Sequence, residues 1–233
     1  MKPVFYSVPM VLPHPDRNMN REIRLGVEQF SRRALELWRA AALIAAAEPG
    51  LLTAADRDTA RRRGLAAGKR ILAECPKGKA RIAYLRTLTE DGLHANPETV
   101  TAMAEQIWLL ENRYGLADSY LRAVADAAIQ HGAECILCPS PLEQGKLEAV
   151  FLPDSKAAFL SANTAENVID MPARRVHLDR IPDSERKIAL KNTLKENRAW
   201  IEALIQRAAE CLRNAEILRT MKSDTCAAEN LRL

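Results

Sequence analysis

The sequence predicts an α/β fold with a mostly parallel sheet, extended by long helices towards both ends. Two observations carry that prediction. Between residues 80 and 183, short apolar runs of strand length alternate with helical stretches, the pattern of strands joined by helical crossovers. Towards each end, apolar residues recur at alternating steps of three and four, the spacing of a helix seam. The expected division is an extended segment and helical hairpin in 1–79, the α/β domain in 80–183, and a long helix with a frayed tail in 184–233.

Each element has a local reason. Residues 1–19 are Pro-rich and expected to be extended. A helix starts near Asn20, with Ile23, Val27, Phe30, Ala34, Leu37, Ala41 and Ile44 on one face, and stops at Pro49-Gly50. Thr53 and Asp56 have the spacing of a capping box, and a second helix follows to about Glu74, giving an antiparallel hairpin with the first. "RIAYLRTL" reads as a strand and "TEDGL" as a turn; Asn96-Pro97 opens a short helix, with Pro at its first position. "QIWLL" (106–110) is a short buried strand. "DSYLRAVADAAIQH" is helical, with Gly132 placed to end it, and "AECILC" is the next strand. "EAVFL", "KAAFLSA" and "RRVHL" are further strand candidates. From Asp183 to about Met221 one long helix carries a second seam, Leu194, Asn197, Ile201, Leu204, Ala208, Cys211, Ala215 and Leu218. The two seams either pack together as a coiled-coil-like stalk or each pack on the body of the protein.

Composition narrows the function. Hydrophobic residues are 48% and charged residues 27%, which suits a globular chain and not a disordered one. A net charge of +4 is mild and spread out, and aromatics at 5% supply no stacking platform, so both argue against nucleic acid. The apolar run Ala40–Ala47 is far short of a membrane span, and the Pro-broken N-terminus makes a poor signal peptide. A cytoplasmic location is the default expectation. Five irregularly spaced cysteines, Cys75, Cys135, Cys138, Cys211 and Cys226, do not form a disulfide framework.

The stretch "QIWLLENRYGLADSYL" sets a buried strand against a loop and a helix start, the frame of a phosphate loop. In the spacing G-x-x-x-x-G-K-[ST], the defining positions hold Asn112, Ala117, Asp118 and Ser119, with Gly115 inside the loop. The hydroxyl is kept, while both glycines and the Lys are replaced. At about 4 Å and an effective dielectric near 20, a Lys-to-phosphate attraction is worth roughly 4 kcal/mol, and Asp converts it to a repulsion of similar size. Asn112 and Ala117 also add a Cβ where backbone should approach the phosphates. Around this loop stand the turn Thr89-Glu90-Asp91-Gly92, then "Pro-Leu-acid-x-x-Lys" at Pro141–Lys146, then "LEAVFLP" and "KAAFLSAN".

That series, over residues 80–183, resembles the second half of a bacterial family of tandem P-loop ATPase-like proteins. The resemblance implies a P-loop NTPase-like three-layer core. It assigns Asn112, Arg113, Gly115 and Ser119 to a relic phosphate loop, and leaves residues 1–79 as either a true domain start or the counterpart of the helices that follow a first domain in a longer tandem protein. No cofactor is expected, and the chain is expected to have lost ATP hydrolysis and to act as a binding or regulatory module, through a protein partner or self-association along its seams. The alternative is a nucleotide- or phosphate-binding, kinase-like enzyme that takes ATP and Mg²⁺ with groups from a partner chain, Arg113 or Arg122 replacing the lost charge. A third reading is a truncated product with no role of its own.

Other residues read as structural. Cys135 and Cys138 would face opposite sides of a strand and not pair at a metal. His131 sits at a helix C-terminus, where a protonated ring is favoured; His14, His94 and His177 have no neighbours in sequence with which to form a site. Asp154 and Asp170 stand where a Mg²⁺-side carboxylate could but read as turn residues. Arg57, Arg61, Arg62, Arg63, Lys69 and Arg70 make the second helix basic, which reads as a solvated face.

Overall fold

The computed structural model describes residues 3–16, 19–47, 52–72, 78–165 and 172–230. Pro49, Gly50, Cys75 and Asp170 lie outside these residues, as does the side chain of Cys226. The chain separates into two compact units, one of Met1–Pro9, Glu48–Arg86 and Ala95–Leu194, the other of Met10–Ala47, Thr87–His94 and Lys195–Leu233.

The helices are α1 (Arg21–Ala46), α2 (Ala54–Ile71), α3 (Pro97–Met103), α4 (Ala117–Gln130), α5 (Ala162–Ala165) and α6 (Ser184–Asn230). The strands are β1 (Ala80–Ile82), β2 (Arg86–Thr89), β3 (Gly92–Ala95), β4 (Gln106–Leu110), β5 (Cys135–Pro139), β6 (Leu147–Leu152), β7 (Ala157–Ser161) and β8 (Arg174–Val176). The helix starts follow local chemistry. Asn20 Oδ1 accepts from Ile23 N at 2.9 Å, and Asn96 Oδ1 from Glu98 N at 2.9 Å. Thr53 and Asp56 close a complete capping box.

In the first unit a six-stranded sheet runs in the order β1-β5-β6-β7-β4-β8. It is parallel except for β6, which pairs antiparallel with both β5 and β7. The strands alternate between two cores. Trp108, Leu110, Cys135, Val150 and Phe159 face Leu121, Val124 and Ala128 of α4. Ile107, Ile136, Cys138, Phe151 and Leu160 join Leu85 and Val100 on the other face. Burial on both faces is why these strands read as unbroken apolar runs.

The helix α2 packs along α4, in contact tight enough to exclude a Cβ. One added at Gly64 would sit 2.3 Å from Tyr120 O, and one at Gly68 2.9 Å from Ala127 Cβ. In the second unit α1 packs antiparallel to the later part of α6: Val27 and Phe30 join Ala215 and Leu218, whereas Arg33 and Leu37, further along α1, meet Arg207 and Cys211. The two helices of the expected α1–α2 hairpin fall in different units, α2 with α4 in the first and α1 with α6 in the second. Each helix took the partner whose apolar face matched its own: glycines on α2 admitted α4, and one heptad stripe met the other.

Two further expectations change. "RIAYLRTL" is not one strand, because β1 joins the large sheet and β2 pairs with β3 in a separate hairpin. Leu85, fully buried between them, anchors the break. The last helix runs past Met221 to Asn230, and residues 231–233 of the expected frayed tail lie outside the described residues. Among the described residues, no helix is long and apolar enough to cross a membrane.

Candidate functional site at the carboxyl edge of the sheet

The carboxyl ends of β4, β7 and β8 and the start of the antiparallel β6 share one edge of the sheet. Open α/β sheets place ligands at this edge. The loop between β4 and α4 lies here. Gly115 turns it with φ +79°, and α4 begins at Ala117 without a side-chain cap from Leu116.

The loop's polar groups are engaged from within the chain. Ala117 N donates to Asn112 Oδ1 at 2.9 Å, and Asn112 Nδ2 donates to Ser161 Oγ, at the end of β7, at 3.2 Å. Arg113 N donates to the Asp179 carboxylate at 2.9 Å. Glu111 N bonds Val176 O at 3.0 Å, and Glu111 Oε1 meets His177 Nδ1 at 2.8 Å. The first N–H groups of a helix and its preceding loop are the donors a phosphate would use. Two of them, on Arg113 and Ala117, already hold a carboxylate and an amide oxygen.

Asp118, which the expected phosphate-loop spacing sets against a Lys, makes several bonds in the structure. Its Oδ1 accepts from Leu147 N at 2.8 Å, and both of its oxygens accept from Arg122 Nε at 3.0 Å. Arg122 also donates to Gly145 O. The first turn of α4 is thereby tied to the 140–147 loop and the start of β6, and a negative charge at the N-terminus suits the helix dipole. Ser119 lines a groove together with Arg122. Of the four residues expected to form a relic phosphate loop, Asn112 and Arg113 make bonds to Ala117, Ser161 and Asp179, Gly115 provides the turn, and Ser119 lines a groove.

The sequence reading did not single out Glu148. This carboxylate is 3% exposed at the start of β6. Its Oε2 accepts from Arg86 Nε at 3.0 Å, Arg86 Nη2 at 2.5 Å and Thr164 Oγ1 at 3.4 Å. Its Oε1 is buried without a hydrogen-bond partner. Burial pushes the carboxyl up from its ordinary range, with Arg86 opposing that shift. The one available signal was an acid opening the apolar run "LEAVFLP".

The remaining candidates fall apart spatially. Cys135 belongs to the core under α4 and Cys138 to the opposite one. Burial pushes the Cys135 thiol up to about 12 and the Cys138 thiol well above its ordinary value, so neither is a nucleophile at neutral pH. His131 closes α4, its Nδ1 2.9 Å from Ala127 O. Asp154 accepts from Glu134 N at 3.1 Å. Because β6 runs antiparallel, Asp154 stands at the amino edge of the parallel strands, across the sheet from the loop. His177, which had no neighbour in sequence, meets Glu111 across 66 positions of chain. No family model matches the chain, and no curated protein and no solved structure matches it.

Proposed function

We propose that the chain is the second half of a tandem P-loop ATPase-like protein whose phosphate loop has been eroded. In this reading it has lost ATP hydrolysis and acts as a binding or regulatory module. The observation that carries it is the internal use of the loop. Asp179 and Asn112 take the Arg113 and Ala117 N–H groups, and Asp118 holds β6 where a Lys would hold phosphate. An incoming triphosphate would have to displace a carboxylate and then face Asp118 in the first turn of α4. The α1 and α6 seams are already buried against each other, which turns the search for a partner surface to their outer faces and to the first unit.

Isothermal titration with Mg-ATP and Mg-GTP tests this reading. No heat of binding at micromolar protein and no phosphate release are expected; micromolar affinity with turnover would overturn it. A second reading retains a phosphate ligand and lets Arg113 or Arg122 supply the charge. The one observation in its favour is that Ser119 and Arg122 share a groove outside the loop.

A further inference from the structure

Beside the α2–α4 pair, within the first unit, lies an open groove of about 450 Å³. That volume lies within the range of small-molecule pockets, roughly 300–1,000 Å³. Its floor is apolar, formed by Leu137 of β5 and Leu147 of β6, with Ala125 and Ile129 of α4 as one wall. Ile129 is half exposed there. Arg57 and Arg61 from α2 and Arg122 and Ser119 from α4 line the same groove.

These cations are not equivalent. Arg122 is fixed by Asp118 and Gly145 O and forms a rigid part of the wall. Among the described residues Arg61 pairs with Asp126, at 4.0 Å, the limit of an ion pair. Arg57 enters no ion pair among the described residues. Asp58 and Asp126 also line the groove, so two carboxylates stand among its three arginines. The groove therefore combines an apolar floor, one unpaired and one loosely paired guanidinium, and a hydroxyl donor.

We propose that this groove binds a small organic anion, a molecule carrying a phosphate or carboxylate on an apolar body. The body lies on Leu137, Leu147 and Ile129, and the anionic head takes donors from Arg57, Arg61 and Ser119. The proposal rests on reading the chain as a binding module, and it names the ligand class of that module. It also accounts for Ser119, whose hydroxyl lines this groove.

The test uses the full chain and 8-anilinonaphthalene-1-sulfonate, a fluorescent apolar anion, with its neutral analogue N-phenyl-1-naphthylamine as a second probe. Saturable binding of the anion at one site is expected, with much weaker binding of the neutral analogue. Charge-assisted contacts of this kind predict a loss of roughly tenfold or more in affinity for Arg57→Ala/Arg61→Ala. The control Arg62→Ala/Lys69→Ala removes as much charge from α2 outside the groove and is expected to change little. Ile129→Ser, at an exposed position, is expected to weaken both probes. Competition by phenyl phosphate and by benzoate then distinguishes a phosphate from a carboxylate head. Unsaturable binding, equal losses in the groove and control variants, or equal affinity for the neutral analogue overturns the proposal. Turnover of Mg-ATP would overturn the loss of hydrolysis and leave this result standing, so the two failures are distinguishable.

Discussion

In the first unit the space between sheet and helices is filled by Phe151, Phe159, Leu121 and Ile136, all fully buried. In the second, the described residues buried to the same degree on α1 and α6 are Val27, Ala34, Ala41, Ala208 and Ala215, all alanines but one. Large side chains hold a sheet and a helix layer apart at a distance set by their volume. Small ones let two helix axes approach towards the close end of the usual range, about 8 Å. The first arrangement gains by burying much apolar area per residue; the second gains by continuous close contact of backbones and Cβ atoms. The sheet unit is therefore sensitive to lost volume and the helical unit to added volume.

The largest expected effect comes from truncation in the sheet. Phe159 stacks on Trp108 with ring centroids 4.9 Å apart and is fully buried. Phe159→Ala is expected to cost about 3–5 kcal/mol, measured by urea unfolding, with hydrogen exchange locating the loss in the first unit. The comparison breaks if protection falls equally in α1. A smaller effect is expected from enlargement in the helical pair. Ala215→Leu overfills the seam beside Val27 and is expected to cost about 1–3 kcal/mol. A stabilising Leu there would mean that the seam has room and is not set by close approach.

The smallest expected effect sharpens the picture at the start of α2. Asp56 accepts from Thr53 N at 2.9 Å and from Arg186 Nη1 at 2.6 Å. The Arg186 hydrogen bond is the first cause holding its carboxyl below the ordinary aspartate range. Folding thus favours the ionised form. The stabilisation is complete above the ordinary aspartate pKa and is lost as pH falls through the lowered one. Asp56→Asn should cost about 1 kcal/mol at neutral pH, as for a lost cap. It should also flatten the fall in stability below the ordinary aspartate pKa, as read from melting temperatures across pH. An unchanged acid slope would remove Asp56 as its source.

How legible each feature was depended on how far apart in the chain its parts lie. The caps at Asn20, Thr53 and Asn96, the end of α4 at Gly132 and the opposite facing of Cys135 and Cys138 were readable, because each depends on residues within a few positions. The seams were readable as stripes, and the choice between a shared stalk and separate packing was not. The loop was readable as a strand-loop-helix frame with an acid in the first turn of the helix. That Asp118 would hold Leu147 N was hidden 29 positions away, and Asp179 lay 66 positions from the Arg113 N–H it takes.

Helical and strand periodicity, turn chemistry and capping act over one to four residues, and the sequence alone determined them here: the α/β class, the strand-loop-helix frame around Gly115, and two long helices with heptad stripes. Tertiary structure alone decided the reversed direction of β6, the pairing of α2 with α4 and of α1 with α6, and the burial of Glu148 against Arg86. It also decided that Asp179 would take the Arg113 N–H and Asn112 the Ala117 N–H. Nothing local selects such partners, since a carboxylate or amide oxygen bonds whichever donor the completed fold brings within about 3 Å.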